Sequence, residues 1–213
     1  MCYNQAMEPT VKQNSEIQVS EIHQEIPKPI PAADAKRSEL RSGEIYECSL
    51  SQILTELESS SKQTCGKALE LLTIHFIHLL DLDFEAWLLR STESEGVEVG
   101  ALANGRQMPF SRWLIQCRNT DQMDTGDIAT AVGRSVAFKP TIILSVTTGC
   151  FTHQARHYAS RAMQLTSLQV LLIDATDLRT IANDEMAIES MLNREMEQVS
   201  ANKQLQVAPL RAR

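Results

Sequence analysis

Two short, almost continuously apolar segments in the second half of the chain constrain its fold most strongly. They are 141–146 (TIILSV) and 168–173 (LQVLLI), and their length and aliphatic content are typical of strands covered on both faces of a sheet. The residues between them, 152–165, predict a helix. This β-α-β order predicts an α/β fold in which helices pack on the faces of a sheet.

The preceding part of the chain predicts two helices followed by a three-stranded meander. The helices are expected at 44–57 and 65–80, and the strands at 84–90, 96–102 and 112–118. Asn104-Gly105 favours a tight type I′ turn between the second and third strands, because both central residues of that turn need positive φ.

Two further helices complete the pattern. One is expected from Asp127, as its N-cap, to Phe138, where Pro140 follows, and the last is expected at about 184–199. After the short first helix the order is α-β-β-β-α-β-α-β-α. This order predicts the fold class, an α/β protein with a mixed β-sheet flanked by helices.

The chain divides by composition into four segments. Residues 1–43 carry no sustained apolar periodicity and include the helix-breaking sequence PKPIP, so we expect a disordered acidic tail. A short helical region is expected at 44–61, a folded domain at 62–200 and a C-terminal tail at 201–213. Most of the formal charge of −7 falls in residues 1–61, so the folded domain is close to neutral and compatible with local basic patches.

Composition also limits where the protein works. No apolar run reaches the roughly 18 residues of a membrane-spanning helix, so we expect no membrane partner. The five cysteines are widely spaced and include no Cys-x-x-Cys pair, which argues against a disulfide framework or a zinc site and favours a cytoplasmic location. Cys117 and Cys150 are expected to be buried as small apolar residues.

Polar side chains on neighbouring strands form the first candidate site. Strand alternation places Gln116 and Arg118 on one face of their strand, and Glu98 lies between two valines that point the other way. If these faces match, a carboxylate, an amide and a guanidinium converge, and the preceding helix adds Glu70. Such a group suits a metal and phosphate site. Polar residues on a half-solvated sheet produce the same spacing and are the alternative.

Several motifs occur in one order along the chain. They are Leu69-Glu70 in the second helix, EGVEV at 95–99, WLIQCR at 113–118, VTTGCFT at 146–152 and LLID at 171–174. Together, over about residues 64–195, they resemble the Mrr-type restriction endonuclease domain of the PD-(D/E)xK nuclease superfamily. The resemblance implies a restriction endonuclease-like fold, Mg²⁺ as cofactor and metal-assisted hydrolysis of a DNA phosphodiester.

Two positions depart from the pattern of the family. Its metal-binding Asp matches Glu98, and its catalytic Lys matches Arg118, whereas Gln116 retains the family's amide. The longer Glu suits Mg²⁺ poorly, since this ion demands near-ideal octahedral geometry at about 2.0–2.1 Å. Arginine, with a pKa above about 12, cannot act as a base and clamps phosphate oxygens instead. We therefore expect weak or absent Mg²⁺ binding and a degenerate active site.

A second candidate surface lies on the helix that follows the Thr-Thr-Gly turn. His153, His157 and Arg161 recur at intervals of four residues, and Arg156 lies beside them. Backbone N–H groups and the dipole at a helix N-terminus favour phosphate, so these four residues and Arg118 are candidate contacts to the DNA backbone. A solvated helix face is the alternative.

Three functions stay open from the sequence. The first is a catalytically degenerate, DNA-binding subunit of a DNA-processing or defence assembly, with itself or another protein as the oligomeric partner. The second is an active, metal-dependent DNA endonuclease. The third is a protein-interaction scaffold whose working surfaces are the acidic tail and the last helix.

Overall fold

The computed structural model describes residues 30–31, 49–90, 97–106 and 111–194, the first pair in backbone only. Its helices are α1 Leu50–Leu57, α2 Lys62–Leu79, α3 Thr125–Phe138, α4 His153–Leu165, α5 Ala175–Asn183 and α6, whose described part is 187–194. Its strands are β1 Ile30–Pro31, β2 Leu82–Leu89, β3 Glu98–Gly105, β4 Arg112–Arg118, β5 Gln122–Met123, β6 Ile142–Thr147, β7 Cys150–Phe151 and β8 Gln169–Ile173.

One mixed sheet carries the helices. Its strand order is β1-β2-β3-β4-β6-β8, in which the two-residue β1 lies against the edge of five longer strands. β2, β3 and β4 pair antiparallel in chain order, whereas β4, β6 and β8 run parallel. β5 and β7 form a separate parallel pair. The structure confirms the predicted meander and the predicted α/β class with helices flanking a mixed sheet.

Each face of the sheet has its own apolar core. On one face Ile115 and Phe76 belong to a core shared with α1, α2, α5 and α6, and on the other Leu114 and Ile143 pack with residues of α3 and α4. All four side chains are fully buried. Burying each of them stabilises the fold by about 1.5–3 kcal/mol relative to leaving it exposed. The face covered by α3 and α4 also carries the candidate polar residues of β3 and β4.

Helices α1 to α5 each begin after a residue whose side chain accepts a hydrogen bond from the first turn. These N-caps are Ser49, Ser61, Asp124, Thr152 and Asp174. Such caps satisfy backbone N–H groups that have no partner within the helix. The prediction of Asp127 as the cap of α3 is wrong, because Asp124 caps the helix. Asp127 is instead the third helical residue, and its Oδ2 accepts the N–H of Asp124 at 2.9 Å.

The structure corrects the predicted turn at Asn104-Gly105. Both residues belong to β3, where Asn104 lies opposite both Asp83 of β2 and Arg112 of β4. The Asn104 side chain donates to Glu85 Oε2 at 3.2 Å, so pairing on both sides keeps these residues in the strand. The turn prediction depended on a local dipeptide signal, which the cross-strand partners override.

The predicted helices at the two ends of the fold also differ from the observed ones. α1 begins at Leu50, and residues 44–48 of the predicted helix lie outside the described residues. α5, which the Asp174–Asp177 capping box starts, was not predicted from the sequence, and the following helix begins at 187. The predicted tails at 1–43 and 201–213 lie outside the described residues, apart from the backbone of β1. No described helix is both long and apolar enough to cross a membrane.

Candidate functional site

The sheet register brings the predicted polar residues of β3 and β4 together. Glu98 lies directly opposite Arg118 in the antiparallel pair, two positions from Gln116, which lies opposite Gly100. Across the parallel pair, Gln116 neighbours Ser145 of β6. Because side chains on one strand alternate between the faces, these residues share the face covered by α3 and α4. The structure confirms that the faces of Glu98, Gln116 and Arg118 match.

Glu98 is held between two arginines. Its Oε1 accepts a hydrogen bond from Arg134 Nη1 of α3 at 2.7 Å, and its Oε2 lies 3.9 Å from Arg118 Nε. The Glu98 side chain is only 14% exposed and that of Arg134 17%. A hydrogen bond between charged, partly desolvated groups is stronger than one on the open surface.

Arg118 makes a second ion pair that extends the contacts to α3. Its Nη1 bonds to Oδ1 of Asp127. The other oxygen of Asp127 accepts the Asp124 N–H, so both carboxylate oxygens are engaged. Arg134, Glu98, Arg118 and Asp127 therefore form one connected group of two cations and two anions, which we call the charge cluster. Its formal charge is zero.

Half of the charge cluster was not predicted from the sequence. Asp127 was expected only to cap α3, and Arg134 was not connected with the site. A signal was available, because residues 127 and 134 are seven positions apart and two helical turns bring them to the same helix face. On that face Asp127 complements Arg118 of β4. Arg134 complements Glu98 of β3.

Gln116 and Ser145 add buried polar groups beside the charge cluster. Their side chains are 1% and 0% exposed, and neither Gln116 Oε1 nor Ser145 Oγ has a hydrogen-bond partner among the described residues. A buried polar atom without a partner costs about 1–3 kcal/mol. Such unsatisfied groups are uncommon in native proteins and concentrate where function or strain requires them.

Glu70 has a different partner in the structure. It lies on α2, the helix that covers the opposite face of the sheet. Its two carboxylate oxygens accept hydrogen bonds from Arg90 Nε and Nη2 at 3.2 and 3.1 Å. The bidentate geometry suits a guanidinium and a carboxylate. Its catalytic role beside Glu98, Gln116 and Arg118 stays a prediction.

The basic residues of α4 divide into two groups. His153, His157 and Arg161 are exposed and line a groove of about 750 Å³ between α3 and α4, together with Tyr158. Arg156 instead donates to Asp174 Oδ2 at 2.6 Å and lies over the ring of Phe151, at 5.4 Å from its centroid.

The residues that line this α3–α4 groove include no carboxylate. They are Thr125, Val132, His153, Gln154, His157, Tyr158, Arg161, Ala162, Leu165 and Thr166. The groove therefore combines a fixed positive charge, two imidazoles and several apolar side chains. Such a surface attracts an anion without a competing internal carboxylate.

A mixed sheet carrying this group of carboxylate, amide and cation on neighbouring strands is the arrangement expected of a restriction endonuclease-like domain. The family model Mrr_cat, described as a restriction endonuclease, matches residues 63–182, more than half of the chain. The chain therefore belongs to the Mrr-type restriction endonuclease family, which confirms the resemblance. A search among curated proteins finds no relative that matches the chain.

Nucleases of this family generally depend on a metal ion, and the charge cluster does not fit Mg²⁺ as it is arranged. One oxygen of Glu98 is bonded to Arg134 and the other faces Arg118, while both oxygens of Asp127 have partners. Among the described residues, no three or more His, Cys, Asp or Glu side chains come together as ligands for an ion. Guanidinium groups stay protonated, so they cannot give way by losing charge.

Proposed function

We propose that this protein binds duplex DNA through its Mrr-type fold without hydrolysing it. The observation that carries the proposal is the closed charge cluster, in which Arg118 and Glu98 are engaged with each other and with Asp127 and Arg134. Attack of water on a phosphodiester needs a base or an activated water molecule. The resemblance assigns that task to the positions of Glu98 and Arg118. Both side chains are held here in internal ion pairs.

Arg118 supports the loss of catalysis by its chemistry as well as by its contacts. A guanidinium with a pKa above about 12 does not accept a proton from water near neutral pH. Its Nη1 is also bonded to Asp127, and the side chain is 24% exposed. Arg118 therefore carries a positive charge in the site but cannot act as a general base.

The α3–α4 groove supports binding of the phosphate backbone. Its cation, Arg161, and its two histidines lie along one helix that begins at the carboxyl end of the sheet, beside β7. Phosphate contacts from such a surface give affinity without reading the base sequence. A DNA-processing or defence assembly is the setting we propose for such a binding subunit.

A gel-shift titration tests DNA binding. Plain and methylated duplexes are titrated with the full chain at several salt concentrations, because phosphate contacts make affinity fall steeply with salt. Arg161→Ala is expected to weaken binding about 3–10-fold at low salt and to reduce the salt slope by about one unit. Lys67→Ala is the matched control, since it removes one exposed positive charge from α2 on the other face of the sheet.

Equal effects of Arg161→Ala and Lys67→Ala would exclude the groove as the binding surface. Binding that is absent, or that does not change with salt, would exclude the proposed DNA interaction. The search would then turn to protein partners, for which the scaffold hypothesis expects the acidic tail and the last helix as contact surfaces.

The same duplexes, incubated with Mg²⁺ or Mn²⁺, test the active-endonuclease alternative. We expect intact DNA with the unchanged protein. Cleavage that disappears in Glu98→Gln and with a chelator would show an active nuclease and would overturn the non-hydrolytic part of the proposal. Glu98→Gln keeps the length of the side chain while removing its charge.

A role as a subunit is the second proposal, favoured by exposed apolar side chains on α3 and α4. Val136 of α3 is 81% exposed and Leu165 of α4 is 75% exposed. Apolar groups of this size at a protein surface often mark contacts with another protein when they cluster. Light scattering of the purified chain, with and without DNA, measures whether it forms a homo-oligomer.

A further inference from the structure

The α3–α4 groove carries more ring and apolar surface than contacts to a phosphate backbone require. Beside Arg161, its lining includes the imidazoles of His153 and His157, the phenol ring of Tyr158 and the aliphatic side chain of Leu165. Sugar and phosphate groups offer polar oxygens to a protein, so they match only part of this lining. The rest of the lining needs a ligand group of another chemistry.

We propose that the α3–α4 groove binds an unstacked nucleobase together with a neighbouring phosphate, so that the protein prefers DNA with unpaired nucleotides to a continuous duplex. The inference rests on the proposed function, because it places DNA in the same groove, and it adds the class of DNA. Single strands, bulges and frayed ends all present this chemistry.

The combination of a cation with ring-bearing side chains gives the first reason. Proteins that bind single-stranded nucleic acid combine a positively charged groove with aromatic side chains on which bases stack. Tyrosine and histidine rings and the arginine guanidinium all serve as stacking partners. His153, His157 and Arg161 recur at intervals of four residues and so share one side of α4, and Tyr158 follows His157 directly. One helix therefore offers both stacking surfaces and a phosphate contact.

The position of Tyr158 gives the second reason. Its side chain is half-buried and packs against the apolar core that contains Leu114 and Ile143, as does Val132 of α3. A side chain held in this way loses little conformational entropy when a base stacks on it. Leu165, which is 75% exposed, extends the apolar lining and gains when a base displaces water from it. Both effects favour a base in the groove.

The shape of the groove gives the third reason. Its volume of about 750 Å³ falls within the range of roughly 300–1,000 Å³ that is typical of small-molecule sites. A base inside a continuous duplex reaches a concave site only at the cost of unstacking and unpairing, and this cost is least for a base that is already unpaired. The preference for unpaired DNA follows from this difference.

Fluorescence anisotropy of labelled oligonucleotides, titrated with the full chain, tests the inference. A thymidylate strand of about twelve nucleotides is compared with an abasic strand of the same length, which keeps every phosphate and lacks the bases. The thymidylate strand is expected to bind at least about fivefold more tightly. Equal affinity would overturn the inference, because phosphate contacts alone would then account for binding.

Variants separate the base contact from the phosphate contact. Tyr158→Leu removes the ring and is expected to reduce the preference for thymidylate over the abasic strand to less than about twofold, whereas Tyr158→Phe, the matched control, retains the preference. Arg161→Ala is expected to weaken both strands by about the same factor, because both carry the phosphates. A full preference in Tyr158→Leu with a native near-ultraviolet circular dichroism spectrum would overturn the inference.

His157→Ala is the second variant and replaces the first if Tyr158→Leu does not fold. His157 is exposed on α4, so its removal leaves the apolar core intact. This variant is expected to lower the preference for thymidylate about twofold or more. An unchanged preference in a chain without either ring, or in His157→Ala where only that variant folds, would overturn the inference.

A duplex with one unpaired thymine separates the inference from the proposed function. It is expected to bind about threefold or more tightly than the continuous duplex of the same sequence. Salt-dependent binding of both duplexes with equal affinity would overturn the inference and leave the proposed function standing. Binding of the thymidylate strand, with its preference over the abasic strand but without binding of the continuous duplex, would support the inference and overturn the proposed binding of duplex DNA.

Discussion

Arg134 illustrates how the stability of the charge cluster depends on single side chains. Arg134→Ala leaves Glu98, 14% exposed, with the more distant Arg118 as its remaining partner in the cluster. Breaking a buried ion pair costs up to several kcal/mol, and partial exposure reduces that cost. We expect the free energy of unfolding to fall by about 1–3 kcal/mol, measured by urea denaturation.

Arg106→Ala provides the comparison for that measurement. Arg106 pairs with Asp81 at 3.1 Å and Asp83 at 2.8 Å, but its side chain is 54% exposed. Ion pairs in contact with water contribute little to stability. The expected loss is therefore smaller than for Arg134→Ala, although two ion pairs are removed. Equal losses would mean that burial does not strengthen the charge cluster.

Cys117 and Cys150 were both predicted to be buried, but they differ in exposure in the structure. Cys117 of β4 is fully buried, as predicted, whereas Cys150 is exposed, so that part of the prediction is wrong. β7 has only two residues, and Phe151 takes its inward position. Burial raises the pKa of the Cys117 thiol to about 12, although a hydrogen bond with Thr73 lowers it.

Thiol labelling of the folded protein is expected to follow this difference. A maleimide at neutral pH should modify Cys150 rapidly, and should modify Cys117 only after denaturation, because a buried thiol with a raised pKa provides little thiolate. Mass spectrometry of the resulting peptides measures each site separately. Equal labelling of both cysteines before denaturation would contradict the burial of Cys117.

The loop between β6 and β7 has no room for a larger side chain at Gly149. A Cβ on Gly149 would lie 2.1 Å from the backbone oxygen of Asp121 and 2.3 Å from that of Thr120. The same approach allows the Cys150 N–H to bond to Asp121 O at 3.0 Å, in the β5–β7 pair. The glycine is therefore required by close packing of two backbones.

Replacing two glycines by alanine separates this effect from general helix propensity. Gly149→Ala is expected to lower the free energy of unfolding by several kcal/mol, because backbone must move. Gly133→Ala in α3 meets no atom within 4 Å and is expected to raise it by about 0.5–1 kcal/mol. Thermal unfolding of both variants measures whether the free energy of unfolding changes in opposite directions. A destabilised Gly133→Ala together with an unaffected Gly149→Ala would contradict the close packing at Gly149.

The whole folded protein is expected to lose stability in mild acid because of two histidines of α2, His75 and His78. Burial lowers the pKa of His75, although Glu185 at 3.8 Å raises it, and burial, Arg106 and His75 lower the pKa of His78. Their folded pKa values lie below the unfolded value of about 6.5, so the unfolded chain binds more protons. Above that pH both histidines are neutral in the folded and unfolded chain, so they cost no stability. Below it the unfolded chain takes up protons first, and the free energy of unfolding decreases.

Denaturation between pH 7 and pH 5 measures this dependence. His75→Gln/His78→Gln is expected to flatten the decrease in the free energy of unfolding over that interval. His157→Gln is the control, because His157 is exposed on α4. The interpretation fails if the double variant and the control have the same pH profile as the unchanged protein.

Much of the architecture could be predicted because periodicity is a local property of the chain. The apolar runs that became β6 and β8 and the alternation in β4 identified the strands, and the family resemblance identified the fold. α5 was missed because Asp, Thr and Asn give it low helix propensity, and only Leu178 and Ile181 of its residues are buried. Asn104-Gly105 was misjudged because strand pairing overrides a local turn preference.

The sequence by itself determined the class of fold, the face shared by Gln116 and Arg118, and the departures at Glu98 and Arg118 from the family pattern. The folded structure decided what those residues contact. Arg134 is 36 positions from Glu98 along the chain. Residues so far apart meet only after burial of apolar side chains has packed α3 on the sheet, because ion pairs are set by distance in space and not by spacing in sequence.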